Sequence, residues 1–193
     1  MLFKQRLGFA FSVAGLAAVF LSGCAGPAPS YSPSVDNVER LKKANAASTK
    51  LGAFVPKAGM ENADAISLRA ASMVSPVGKN FADYLAAALR SELELAKLYD
   101  PASAVEVSGT LLRNNVNAGG ISTNDGQLEA QFVVKRNAEV RYDKVKKVTR
   151  QWDGAFAGAV AVPQAANNYP LMVQQLLAEL FADPEFLQAI QKR

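Results

Sequence analysis

The chain contains one cysteine, Cys24, and no histidine. Cys24 follows Leu21, Ser22 and Gly23 and precedes a tract rich in proline, alanine and serine. A thiol is a good nucleophile, but a single thiol cannot form a disulfide within its own chain. A disulfide within the chain is therefore excluded as the role of Cys24.

The residues before Cys24 have the pattern of a secretory signal peptide. Lys4 and Arg6 form a positive start, and an uncharged, mostly apolar run follows over residues 7–21. This run is shorter than the roughly 20 residues that a membrane-spanning helix needs. A positive start, a short apolar run and small residues at its end predict export and cleavage.

The end of this segment is more specific. Leu21, Ser22, Gly23 and Cys24 resemble the lipobox of bacterial lipoproteins at all four positions. The resemblance implies that the Cys24 sulfur receives a diacylglycerol, that cleavage occurs just before Cys24, and that the new amino group is acylated. Ala25 stands where an aspartate favours retention in the inner membrane, so the resemblance implies the outer membrane. The alternative is a plain secretory signal with an incidental cysteine.

The inventory of catalytic residues is small. Without histidine the usual Ser-His and Cys-His devices are excluded, and the chain shows no Ser-x-x-Lys motif, Walker-type loop or GxGxxG motif. Four carboxylates on or beside a predicted helix are best explained as a solvated face: Asp83, Glu92, Glu94 and Asp100. We therefore expect no enzyme activity, no cofactor and no metal, with a two-carboxylate hydrolase as the alternative.

Two features are candidates for binding a partner. The first is a long polar loop predicted over residues 114–126, whose candidate contacts are Asn115, Asn117, Ile121 and Asn124. The second is the basic set that follows, with candidate contacts Lys144, Lys147 and Arg150 beside Arg141 and Lys146. Long loops often carry function, whereas the alternatives are an unstructured hairpin tip and a solvated strand whose lysines discourage edge pairing.

Composition indicates one globular domain with an appendage. Half of the residues (50%) are hydrophobic and 20% are charged, and the net charge of +4 includes the two cations of the signal segment. Such a balance excludes the dense basic face of a nucleic-acid-binding protein. We predict a signal peptide over residues 1–23, a lipidated cysteine and flexible tether over 24–36, and one periplasmic domain over 37–193.

Hydrophobic periodicity predicts an α+β domain, with an antiparallel sheet of four to five strands and two main helices packed on one face. The helix over 80–98 begins at the capping residue Asn80, and a second helix has Pro170 in its first turn. A short helix near Val38 precedes these, and another restarts after Asp183. The predicted strands cover 50–57, 65–74, 104–112, 127–136 and 139–152, with a tight turn at 137–138, a register change near 144–147 and a buried final strand after 154. For that last uncharged segment, a membrane-touching role is the alternative.

The lipobox, the amphipathic segment 80–100 and the strand after it resemble the small envelope lipoproteins of the YajG-like family. The order of elements over 50–182 is also similar to auxiliary lipoproteins of lipid-transport systems and to the lipopolysaccharide-assembly lipoprotein. These resemblances imply a non-enzymatic, outer-membrane-anchored periplasmic lipoprotein that acts as an accessory or partner-binding module. A lipid- or peptidoglycan-binding module of a transport system is the second hypothesis, and an envelope hydrolase the third.

Overall fold

The computed structural model describes residues 25–192, so the predicted signal peptide and Cys24 lie outside the described residues. The described chain forms two β-sheets and a layer of helices, which confirms the predicted α+β class. The larger sheet contains β2 (Lys50–Pro56), β5 (Val105–Val116), β6 (Thr123–Arg136) and β7 (Glu139–Asp153), in that spatial order.

The larger sheet is mixed rather than wholly antiparallel. Strands β5, β6 and β7 form an antiparallel meander, whereas β2 runs parallel to β5. A parallel pair needs a crossover connection instead of a tight turn. Here a hairpin and a helix lie between β2 and β5 in the chain.

Alternation of side chains gives the sheet one buried face and one open face. On β5 and β6 the buried positions include Val105, Val107, Phe132 and Val134, and the positions between them are only partly buried. Gly109 is required on the buried face, because a Cβ there would lie 2.6 Å from a ring carbon of Phe54. The buried face therefore supports the core, and the other face is left without a helix layer.

The turn between β6 and β7 confirms one prediction and corrects another. Asn137 and Ala138 both have positive φ angles (50° and 69°), as a two-residue type I′ turn requires. The register shift of this hairpin lies next to Lys135, which pairs with Val140, and not at residues 144–147 as predicted. The shift is therefore close to the turn, and the basic stretch of β7 continues the ladder in regular register.

The smaller sheet differs from the predictions in two ways. Residues 65–74 form a hairpin, β3 (Ala65–Leu68) and β4 (Ala71–Val74), instead of one strand, because Arg69 has a φ of 58° and turns the chain. The other edge of β4 is paired in parallel with β1 (Ala25–Pro27), which lies in the segment predicted to be a flexible tether. That segment is thus part of the domain from Ala25 onward.

Local signals define the first two helices. In α1 (Val35–Lys43) the Ser34 side chain caps the first turn, and Val38 and Leu41 are buried. In α2 (Phe81–Leu95) Asn80 and Asp83 form a reciprocal capping box, which satisfies backbone N–H groups that would otherwise lack partners. The start of α2 at Asn80 follows the sequence prediction, and α1 forms where a short helix near Val38 was expected.

The third helix corrects the prediction of a buried final strand. α3 (Gly158–Phe181) includes Pro163 and Pro170, so Pro170 lies in the middle of the helix and not in its first turn. Small buried residues, Ala161 and Ala165, occupy the early turns. The helix forms because its buried face packs against the rest of the domain, and this packing outweighs the unfavourable helix propensity of the two prolines and their neighbours.

The helices form one layer on the buried face of the larger sheet. α2 contacts β2 and β5, α3 contacts β6 and β7, and the two helices also contact each other. A short α4 (Pro184–Ala189) follows the cap at Asp183, as predicted. Between residues 25 and 192 no helix is both long and apolar enough to span a membrane.

Candidate functional site

The predicted loop over 114–126 is shorter than expected, because β5 and β6 extend into it. Only residues 117–122 connect the two strands. Asn115 is exposed on β5, whereas Asn124 is buried on β6 with 1% of its surface exposed. Asn117 is exposed and Ile121 is 64% exposed, so these two remain available at the loop.

The loop is ordered by its own amide side chains. The Asn117 Oδ1 atom accepts a hydrogen bond from Gly119 N at 2.8 Å, and the Asn124 Oδ1 atom accepts one from Gly120 N at 2.7 Å. Asn117 Nδ2 also lies 3.3 Å from an Asp125 oxygen. Asn117 and Asn124 are therefore structural residues of the turn, which limits their part in binding a partner.

Arg69 joins this loop to two other segments. Its guanidinium donates hydrogen bonds to three backbone carbonyls: Ala118 O at 2.6 Å, Ala155 O at 2.6 Å and Phe156 O at 2.8 Å. Loop 117–122 and the chain after β7 also touch directly, since Gly154 N donates to Ser122 O at 2.9 Å. Sequence reasoning missed Arg69, although a charged residue that breaks the alternation of a predicted strand is a signal of a turn.

The segments held by Arg69 expose apolar side chains. Phe156 is 84% exposed, Ile121 64% and Val160 48%. A side chain at Gly154 would come within 2.6 Å of Gly120 O, so the two loops pack backbone against backbone. We call the Arg69 turn, loop 117–122 and segment 154–160 together the apolar tip.

The basic set of β7 is divided between the two faces of the sheet, as predicted. Lys144, Lys146 and Arg150 lie on the helix-covered face, and Arg141 and Lys147 do not. Lys144 Nζ lies 2.6 Å from Glu185, and Arg150 Nε donates to Asn168 Oδ1 at 2.8 Å. Two of the three predicted basic contacts are therefore paired within the chain, Lys144 at the surface and Arg150 partly buried, whereas Lys147 is exposed.

Asp183 is the acidic centre of this internal network. Lys146 Nζ lies 2.7 Å from Asp183 Oδ2, and the Tyr142 hydroxyl donates to the same oxygen at 2.9 Å. Burial favours the neutral acid, but the hydrogen bonds from Lys146, the Glu185 backbone and Tyr142 outweigh it and lower the pKa of Asp183 to about 2. This cluster fixes α4 to β7.

Glu92 corrects the expectation of a solvated carboxylate, because its side chain is fully buried. One oxygen, Oε1, accepts hydrogen bonds from the Tyr31 hydroxyl at 2.5 Å, from Ser34 N at 2.9 Å and from Asn37 Nδ2 at 3.3 Å. Burial raises the pKa of Tyr31, and the hydrogen bond to Glu92 raises it further. Tyr31 and Ser34 lie in the segment between β1 and α1, and Asn37 lies in the first turn of α1, so Glu92 attaches both that segment and α1 to α2.

The cavities of the described chain are small or polar. One apolar cavity of about 170 Å³ lies between the 30–31 segment, the 76–77 segment and one face of α2. A more polar cavity of about 350 Å³ lies near Arg136, Arg141 and Glu185 at the other end of the sheet. Within residues 25–192 no group of three or more His, Cys, Asp or Glu side chains is arranged to hold a metal ion.

The fold resembles solved structures at low sequence identity. One is a protein from Xanthomonas campestris that the family model DUF330 describes, with 14% identity, a TM-score of 0.57, and coverage of 85% of this chain and 96% of that one. Another is a minor lipoprotein from Acinetobacter baumannii, with 9% identity, a TM-score of 0.43, and coverage of 76% of this chain and 97% of that one. No family model and no curated protein matches the sequence.

The similarity to the Xanthomonas campestris protein concerns the fold alone, because a sequence identity of 14% is too low to transfer a function. Its near-complete coverage of the other chain indicates that the two sheets and helices form one recurring arrangement. No site residue is transferred by the comparison.

The predicted partner-binding residues are thus only partly brought together. Asn115 and Lys147 are exposed positions on the open face of the larger sheet, where Asn115 pairs with Gln127 and Lys147 with Glu129. Asn117 and Ile121 lie at the apolar tip, Lys144 and Arg150 face the helices, and Asn124 is buried.

Proposed function

We propose that this chain is an outer-membrane lipoprotein, anchored through Cys24, whose periplasmic domain acts as a non-enzymatic accessory or partner-binding module. The observation that carries the proposal is the four-residue lipobox match followed at once by a folded domain that begins at Ala25. An anchor attached so close to the domain raises its effective concentration beside membrane partners.

The open face of the larger sheet is the surface that best suits a partner. It carries half-buried and exposed apolar groups such as Val133 and Val145 beside charged residues such as Glu129 and Lys147. This face has no helix layer, so its apolar side chains lie on a surface that a partner can reach. We therefore assign partner binding to this face.

Binding of a lipid acyl chain inside the domain has less support. The apolar cavity beside α2 measures about 170 Å³, which is below the 300–1,000 Å³ of typical ligand pockets. A two-carboxylate hydrolase also has less support, because the buried carboxylates Glu92 and Asp183 are held by separate sets of partners.

Site-specific crosslinking in living cells tests the partner-binding proposal. A photo-crosslinking amino acid is incorporated in place of Val145 on the open face, and in place of Leu171 on α3 as the matched control, since both are exposed apolar positions. We expect a discrete crosslinked product at position 145 and none at 171. The absence of any product at 145, in a protein that is correctly localised, contradicts the assignment of this face.

A further inference from the structure

The position of β1 fixes where the lipid anchor leaves the domain. Ala25 pairs with Ser72 and Gly26 with Met73 in a parallel register. Because the strands are parallel, the amino-terminal end of β1 lies toward the Arg69 turn, which immediately precedes β4. A single peptide bond joins Cys24 to Ala25 and spans about 3.8 Å between Cα atoms. An acyl chain on Cys24 therefore leaves the domain beside the apolar tip.

The apolar tip carries almost no charge. Residues 117–122 and the stretch from 154 to 178 contain no charged side chain. The positive charge of Arg69 is occupied by three backbone carbonyls. Phe156 and Ile121 project from this neutral surface with 84% and 64% of their area exposed. Large exposed apolar side chains grouped in this way mark a surface that contacts another phase or partner.

The opposite end of the larger sheet is charged. Lys135, Arg136, Glu139 and Arg141 surround the β6–β7 turn. Strand β6 spans Thr123–Arg136, so at the usual strand rise the two ends are about 40 Å apart. The molecule thus has a neutral, apolar end beside the anchor and a charged end far from it.

Given the lipid anchor of the proposed function, on which this inference rests, we propose that the apolar tip docks on the same bilayer. Ile121 and Phe156 insert at the boundary between headgroups and acyl chains, and Val160 lies at the edge of the contact. Two or three apolar side chains suffice, because the anchor makes the encounter intramolecular. The charged end then points away from the membrane, and the open sheet face is held sideways to the bilayer.

Fluorescence quenching by brominated lipid tests this docking directly. The only tryptophan, Trp152, is replaced by Trp152→Phe, and Phe156→Trp is introduced into that background of the full-length, membrane-extracted protein. The matched control is Val140→Trp, an exposed apolar position at the charged end. In phosphatidylethanolamine and phosphatidylglycerol vesicles with brominated acyl chains, we expect quenching of at least about twofold at 156 and none at 140.

The outcomes separate docking from anchoring. Equal, negligible quenching at 156 and 140 in protein that floats with the vesicles overturns the docking and leaves the anchor intact. If mass spectrometry shows that the protein is not lipidated, the anchor fails, and the free Cys24 thiol is coupled to a maleimide-bearing lipid before the same measurement. If Trp152→Phe prevents folding, Phe156→Trp and Val140→Trp are each introduced into the wild-type protein. The quenching of Trp152 alone, measured in the wild-type protein, is then subtracted from each.

A loss-of-contact variant gives a second reading. Ile121→Ser and Phe156→Ser together should abolish docking of the apolar tip without unfolding or releasing the anchored protein, since neither side chain is buried in the domain. We expect protection of the apolar tip from a soluble protease to fall about tenfold or more in the double variant on vesicles. Equal protease sensitivity of wild type and variant on vesicles overturns the proposal.

Discussion

The Tyr31 hydroxyl donates a hydrogen bond to the buried carboxylate of Glu92, with the two oxygen atoms 2.5 Å apart. Tyr31 lies a few residues after the proposed lipid site, and Glu92 lies in the last turns of α2. This contact fastens the segment that follows the anchor to the core of the domain. A lipid on Cys24 would therefore hold the folded domain close to the membrane, without a flexible tether between them.

The Glu92 cluster should contribute strongly to stability. Glu92→Ala leaves Tyr31, Ser34 N and Asn37 without their buried acceptor, and we expect the free energy of unfolding to fall by about 3 kcal/mol. Urea denaturation measures this change. The matched control is Glu94→Ala on the same helix, where the carboxylate is exposed and pairs only with Arg90. Equal effects of the two substitutions would show that the buried cluster is misassigned.

Acid should weaken the contact between β7 and α4. The pKa of Asp183 falls from 3.8 to about 2 in the folded protein, so its contribution is present above pH 4 and is lost as the pH falls toward 2. Because solvent screens part of this interaction, the expected contribution is about 1 kcal/mol. Asp183→Asn should therefore flatten the dependence of unfolding free energy on pH between 4 and 2. The control Asp153→Asn, an exposed carboxylate at the end of β7, should keep the wild-type dependence.

Core leucines of the two long helices should be sensitive to truncation. Leu85 and Leu176 are 2% and 0% exposed, and replacing either by alanine should lower the free energy of unfolding by about 2–5 kcal/mol. Leu171→Ala is the matched control, because this leucine lies on α3 but is 38% exposed. A change below about 0.5 kcal/mol at Leu85 or Leu176 would contradict the packing of the helix layer.

The residue after the lipid site should determine whether the protein is sorted to the inner or the outer membrane. Ala25 is exposed in β1, so Ala25→Asp adds a charge without disturbing the core. By resemblance to Gram-negative lipoproteins, we expect the variant to move from the outer to the inner membrane fraction on a sucrose gradient. Ala25→Ser is the control and should remain in the outer membrane fraction. An unchanged distribution of Ala25→Asp would contradict the sorting part of the account.

Elements with local signals could be predicted from the sequence. The capping pair Asn80 and Asp83 marks the start of α2, and the Asn137–Ala138 turn separates two clearly alternating strands. In both cases the residues that define the element are neighbours in the chain. Short-range chemistry was therefore sufficient for these elements.

Elements that depend on distant contacts were missed. Segment 154–168 has no charged residue to reveal a helical period and contains Pro163, so the first turns of α3 resemble a strand until their packing is known. Glu92 lies on an amphipathic helix, but its partners come from about residues 31–37. The role of β1 likewise depends on its pairing with β4, which no local pattern indicates.

The proposed function requires that the mature protein begins at a lipidated Cys24. Mass spectrometry of the amino-terminal peptide from protein purified out of membranes measures this. We expect a peptide that starts at Cys24 and carries the mass of a diacylglycerol on sulfur together with an amide-linked acyl chain. An unmodified Cys24, or a mature terminus at any other residue, would rule out the proposed anchor.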